Sequence, residues 1–153
     1  MDVSVIICTW NRAESLRRCL SSLTQLIIPE ELNWEVLVVN NGSTDNTGEV
    51  VTEFEQLLPI RLISEPKLGL SKARNTGVEN ASGELIIFFD DDVLVDPFCV
   101  RGFWNSASAY PDAKLFGGLI EPLMDGITNP KSSFLDDPFF DGLILRKDLG
   151  PKG

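Results

Sequence analysis

The stretch Leu85-Ile86-Ile87-Phe88-Phe89-Asp90-Asp91-Asp92 decides how this chain is read: five consecutive apolar residues deliver three consecutive carboxylates to one point. An apolar run this short, with Gly83 before it and Pro97 after it, predicts a strand buried on both faces of an α/β sheet. Such sheets bind ligands at the carboxyl ends of their strands. Three adjacent Asp side chains repel one another, so at a half-buried strand end they call for a cation or a set of N–H donors. The plain alternative is a solvated acidic turn.

Outward from that run, strand and helix patterns alternate. Val3 to Cys8 is apolar and precedes Thr9-Trp10-Asn11, after which Leu16, Cys19, Leu20 and Leu23 fall at helical spacing. Asn11 with Glu14 three residues on resembles a capping box. Glu35 to Val39 predicts a second strand, running into the turn-rich Asn40-Asn41-Gly42-Ser43-Thr44-Asp45 and a helix with Val50, Val51, Phe54 and Leu57 or Leu58 on its apolar face. Ile60 to Ile63 makes a third strand, and Ser71 to Asn80 a helix that leads to the aspartate-tipped strand. Asp96-Pro97 caps a fourth helix reaching about Tyr110, and Leu115 to Ile120 reads as a fifth strand. The order βαβαβαβαβ predicts a mostly parallel sheet with helices on both faces. Residues 1–120 form the α/β domain. Residues 121–153, with Pro122, Pro130, Pro138 and the aromatics Phe134, Phe139 and Phe140, read as a loop-rich extension of it.

Composition narrows the chemistry. The 153 residues fit one domain, and a net charge of -10 leaves no basic stripe for a nucleic-acid backbone. Cys8, Cys19 and Cys99, odd in number and without CxxC spacing, read as buried free thiols in a reducing compartment. With no signal-peptide pattern at the start and no apolar run of membrane-spanning length, the expectation is a cytoplasmic protein. The chain contains no histidine, which removes His triads and His-metal centres and leaves carboxylates, oxygen-ligated cations and backbone donors.

Three segments that follow strands lie at one edge of a parallel sheet: Thr9-Trp10-Asn11-Arg12, Asn40 to Asp45, and Asp90-Asp91-Asp92. Trp10 offers a flat face for a nucleobase, Thr9 a hydroxyl, and Asn40 both a donor and an acceptor. The alternative for Trp10 is a core aromatic. Lys67, Lys72 and Arg74, around Gly69 and a helix start, suit a phosphate or else a solvated helix face. Neither GxxxxGK[ST] nor a GxGxxG after the first strand is present, which counts against P-loop hydrolases and dinucleotide-dependent dehydrogenases. A nucleotidyltransferase is a weaker rival, since the first strand lacks a following Gly-rich loop. Carboxylates at a strand end are hard ligands for Mg2+ or Mn2+.

Four ordered segments, Val3 to Arg12, Asn40 to Thr47, Gly69 to Gly77 and Phe89 to Asp92, resemble the successive signatures of family 2 glycosyltransferases of the GT-A fold. The resemblance implies a nucleotide-diphosphate-sugar donor, with UDP-sugars favoured and GDP- or dTDP-sugars as alternatives, and a glycan or lipid-linked acceptor. It also implies a metal-dependent, inverting transfer in polysaccharide or glycoconjugate synthesis, at the inner face of the membrane where the acceptor is lipid-linked. By the same resemblance Thr9, Trp10, Asn11, Arg12, Asn40, Gly69, Lys72, Arg74, Asp90 and Asp91 bind the donor, and Asp92 with Asp90 holds Mg2+ or Mn2+ in a DXD motif. Asn40 stands where the family usually has an aspartate for the base. Only about 60 residues follow Asp92, with no Glu-Asp pair among them. Asp136, Asp137 and Asp141 are therefore the candidate bases, and the alternative is an incomplete GT-A domain, a donor-binding module completed by a partner chain, a second copy or further sequence.

Overall fold

Val, Ile and Leu fill most of Val3–Thr9 (β1) and Trp34–Asn40 (β2), a composition that suits strands covered on both sides. The computed structural model, which describes residues 2–120, sets these two at the centre of a parallel sheet. Its order is β3-β2-β1-β4, with Ile60–Ser64 (β3) and Leu85–Asp90 (β4) at the edges. The registers Thr9↔Asn40 and Cys8↔Asp90 bring three strand ends level at one side of the molecule.

The chain steps from β1 out to β3 and then returns to the far side of β1 as β4. Right-handed crossovers must therefore place the intervening helices on opposite faces. Ala13–Leu23 (α1) and Thr47–Glu53 (α2) cover one face, where Leu16, Leu20, Val50 and Val51 pack with Val5, Ile7, Val36 and Val38. Val100 of Cys99–Ala109 (α4) joins the same cluster. Leu70–Asn80 (α3) covers the other face through Ala73, against Ile6, Leu37 and Val39. A Cβ on Gly77 would stand 2.6 Å from Ile6 Cγ2, so this glycine lets the helix backbone lie directly on β1.

Four expectations need correction. β4 is an edge strand, not one buried on both faces: Ile87 is buried, but Phe88 on the opposite face is 42% exposed because α3 covers only the middle of the sheet there. Leu115 to Ile120 forms no strand, since a strand holds only where its backbone and apolar side chains find partners, and Leu115 is 90% exposed. Asn11 does not cap α1; its side chain is taken by the loop after β2, and the carboxylate of Asp45 caps the helix instead. Of the three free thiols only Cys19 is buried, Cys8 and Cys99 being half-buried.

The chain divides into two compact units, Met1–Phe116 and Gly117–Gly153. Of the second unit only residues 117–120 are described, and they form no regular element. The candidate bases Asp136, Asp137 and Asp141, and the aromatics Phe134, Phe139 and Phe140, lie outside the described residues.

At the amino ends of the strands a buried carboxylate ties the sheet to the α3–β4 connection. Glu35 Oε1 accepts from Ser4 Oγ at 2.7 Å and from Ser82 N at 2.8 Å, while Oε2 accepts from Arg61 Nη2 at 2.9 Å. Gly83 N donates to Ser4 Oγ at 2.8 Å. Burial alone would raise the Glu35 pKa, but these donors outweigh it and hold the carboxyl below its ordinary value. A folded-state value below the unfolded one means that this stabilisation is complete above the unfolded carboxylate's pKa of about 4.3. It is lost as pH falls through the lower folded value. Acid titration of stability should therefore show a shallower loss below about pH 4.3 for Glu35→Gln than for the native chain. Gly83→Ala, whose Cβ would meet Ser4 N at 2.4 Å and Val3 C at 2.6 Å, should lower stability in urea by about 2 kcal/mol.

Candidate functional site

The reversal of strand order between β1 and β4 leaves a crevice at their carboxyl ends, the usual place for a ligand in an open α/β sheet. Four segments meet there. Thr9, Trp10, Asn11 and Arg12 leave β1; Asn40 to Asp45 leave β2; the loop up to Gly69 opens α3; and Asp90, Asp91 and Asp92 end β4.

The three aspartates have different surroundings. Asp91 is 5% exposed and turned inward, accepting from Thr9 Oγ1 at 2.8 Å and from Arg12 Nη1 at 2.9 Å. The same Arg12 nitrogen donates to Asp92 Oδ2 at 2.9 Å. Asp92 and Asp90 keep side chains 50% and 69% exposed, and Asp90 is met by Arg74 only at 3.5 Å. The division follows the end of the strand: Asp90 is the last residue of β4, and Asp91 and Asp92 lie in the turn that follows it. Asp90 and Asp92 are the exposed carboxylates of this strand end, and Asp91 serves as an internal brace.

A groove of about 290 Å³ runs beside them, lined by Cys8, Thr9, Trp10, Asn41, Leu68, Gly69, Leu70 and Ala73. Trp10 is 54% exposed, so it is a wall of the groove and not a core aromatic. Leu68 and Leu70 are also exposed. An apolar slot with one aromatic wall accepts a flat ring, and the neighbouring Asp90, Asp92, Arg74 and Lys72 supply charge for the polar remainder of a ligand. Burial lifts the Cys8 thiol to about 11, with Arg74 opposing and Asp90 and Asp91 adding to the rise. The groove's thiol is therefore protonated and no nucleophile.

Two residues shape the groove without having been singled out for it in the sequence. Asn41 is buried, donates from Nδ2 to the carbonyls of Glu65 at 3.0 Å and Lys67 at 2.9 Å, and accepts from Gly69 N at 2.8 Å. It holds Gly69 at a φ of 138°, a conformation open to glycine, at the start of α3. Asp45 accepts from Ala13 N at 3.0 Å and from the Thr47 amide and hydroxyl, so one carboxylate caps both α1 and α2. Burial would raise its pKa, but the Thr47 and Ala13 donors hold it below the ordinary value. The cue for both was the density of cap and turn residues from Asn40 to Asp45. Partners tens of residues away were beyond any local pattern.

The other expected residues fall nearby with varied roles. Asn11, at a φ of 52°, accepts from Thr44 N at 2.7 Å. Asn40 Oδ1 accepts from Ser43 N at 2.8 Å. Lys72 is exposed on the first turn of α3, and Arg74 lies 5.8 Å from the centre of the Phe88 ring. Among the described residues no three metal-ligating side chains converge. The donor set of Asp90 and Asp92 still fits Mg2+ or Mn2+, which commonly take one or two protein carboxylates and complete their shell with water and phosphate oxygens.

Comparison with known proteins gives a consistent picture. The family model for Glycosyl transferase family 2 matches residues 4–149. Glycosyltransferase AglE of Haloferax volcanii is 43% identical over 93 residues, covering 59% of this chain and 30% of that protein. The crystal structure of Staphylococcus aureus TarS 1-349 in complex with UDP-GlcNAc matches with a TM-score of 0.67 and 26% identity, over 72% of this chain and 32% of that one. The mannosyltransferase PcManGT of Pyrobaculum calidifontis, in complex with GDP-Man and Mn2+, matches with a TM-score of 0.61 and 27% identity, over 71% of this chain and 32% of that one. The chain thus spans about a third or less of the length of these relatives.

Asn41→Ala removes three hydrogen bonds that set the groove wall. It should lower stability in urea by about 2 kcal/mol, with groups left unpaired accounting for most of the loss.

Proposed function

Because this chain belongs to glycosyl transferase family 2, we propose that its strand-end crevice is the donor site of a metal-dependent, inverting transferase. The enzyme moves a sugar from a nucleotide-diphosphate sugar to an acceptor hydroxyl in polysaccharide or glycoconjugate synthesis. One observation carries the reading: the apolar groove beside Trp10 and the exposed carboxylates Asp90 and Asp92 lie at one edge of the sheet, at the β1/β4 switch point. The neighbours bound to UDP-GlcNAc, and to GDP-Man with Mn2+, support it.

In this reading the nucleobase lies in the groove against Trp10, and Asn40 turns its amide toward the base edge while Ser43 N holds its carbonyl. Gly69 lets the backbone approach the nucleoside, and Lys72 and Arg74 face the diphosphate. A divalent cation bound at Asp92 and Asp90 would neutralise the departing diphosphate as the anomeric bond breaks. Arg12 and Thr9 hold Asp91, which keeps the β4 tip in place. The free thiols at Cys8, Cys19 and Cys99 suit a reducing, cytoplasmic setting.

A second reading, a donor-binding module that needs a base from elsewhere, rests on how the described carboxylates around the crevice are used. Asp45 is spent on two helix caps, Asp91 on Thr9 and Arg12, and Asp90 and Asp92 on the cation. In this reading the base comes from a partner chain or from further sequence, whereas in the first it is Asp136, Asp137 or Asp141.

Calorimetric titration of UDP and GDP, each with and without Mn2+, separates these outcomes. Metal-dependent binding of one nucleotide that Asp92→Asn weakens at least about tenfold is expected, from the loss of one ligand charge. A folded chain that binds neither nucleotide would sink the donor-site reading. Slow, metal-dependent hydrolysis of the matching nucleotide sugar would favour the transferase over the bare module.

A further inference from the structure

The crevice already holds a cation of its own. Arg12 Nη1 stands 2.9 Å from Asp91 Oδ1 and 2.9 Å from Asp92 Oδ2, so one nitrogen bridges a buried and an exposed carboxylate. The backbone of Arg12 is fixed at the N-cap of α1, where its carbonyl accepts from Leu16 N at 2.9 Å, whereas its side chain is 53% exposed. Only the side chain is free to move. Among the described residues only Nη1 of the guanidinium is hydrogen bonded, which leaves the fork of Nε and Nη2 open to a planar or tetrahedral anion.

We propose that Arg12 is a resident counter-cation that makes divalent-metal binding at Asp92 conditional on a nucleoside diphosphate. This rests on the donor-site reading above. Without ligand, Arg12 holds Asp92 and its positive charge repels a second cation at the same carboxylate. A diphosphate supplies both new ligands for the metal and a new anionic partner for the open fork, so the repulsion is offset when both arrive together. Metal and nucleotide each then raise the other's affinity by the same factor, as linkage requires. Arg12 is thus a positioning residue for the metal, and the coupling is its signature.

The test measures Mn2+ binding by the native chain, Arg12→Gln and Arg12→Lys, each alone and with the nucleoside diphosphate that the native chain binds. Arg12→Gln keeps an N–H donor for buried Asp91 while removing the charge, and Arg12→Lys keeps the charge. Arg12→Gln should bind Mn2+ alone about tenfold more tightly than the native chain, as expected for loss of a neighbouring unit charge. Its gain in affinity on adding nucleotide should shrink correspondingly, while Arg12→Lys stays near native in both. Equal Mn2+ affinity of native and Arg12→Gln without nucleotide, with native binding restored by nucleotide, would overturn this inference and leave the donor site standing. If the native chain binds no Mn2+ even with nucleoside diphosphates, the donor-site reading fails and takes the inference with it. Should Arg12→Gln melt too low to titrate, Arg12→Met, which also removes the charge and keeps the apolar stem, takes its place in the same comparison, and independence of metal and nucleotide in the native chain overturns the proposal.

Discussion

The buried carboxylate of Asp91, held between the Thr9 hydroxyl and the Arg12 guanidinium, is the interaction on which the rest of the crevice depends. A buried acidic side chain is stable only with donors around it, and here both come from the segment that ends β1. The bond therefore fixes the tip of β4 to the tip of β1 at the point where strand order reverses. Asp90 and Asp92, on either side of it, stay exposed. Losing either donor would leave a buried charge short of partners and free the whole strand end.

Other polar groups around the crevice repeat that logic at smaller scale. Asn41 satisfies two carbonyls and one amide of the loop before α3, and Asp45 satisfies the starts of two helices. Each is a short side chain placed immediately after a strand, reaching backbone groups of a different segment. The result is a set of loops held by cross-links and not by a core, which leaves the apolar wall of Trp10, Leu68 and Leu70 exposed for a ligand.

Much of this was legible from residue patterns. The alternation of short apolar runs with helical spacing gave four strands and four helices in the right order, and the strand-end clusters predicted one shared edge. Periodicity could not rank the strands. The run ending in the aspartates is as apolar as β1 and β2, yet it lies at the sheet edge, because position in a sheet follows from chain crossovers and not from the composition of one strand. Nor could local spacing separate Asp91 from its neighbours or reassign the α1 cap from Asn11 to Asp45, since both outcomes depend on contacts made across 32 to 82 residues of chain. Leu115 to Ile120 has strand-like residues without a strand partner among those described, and propensity alone does not supply one.

The two ladders that flank β1 differ in how much chain they enclose. Val3 pairs with Trp34 on one side and with Leu85 on the other, so the second pairing closes a loop more than twice as long. The extra closure entropy is about 1 kcal/mol, and it must be met before the β4 contacts repay it. During folding, the β1–β2 pair with α1 is thus the cheaper nucleus, and β4 docks onto a surface already made. The acidic tip arrives last, when Thr9 and Arg12 are in place to receive it. Until then the three carboxylates stay in water, and Asp91 gives up its hydration only where its donors already stand.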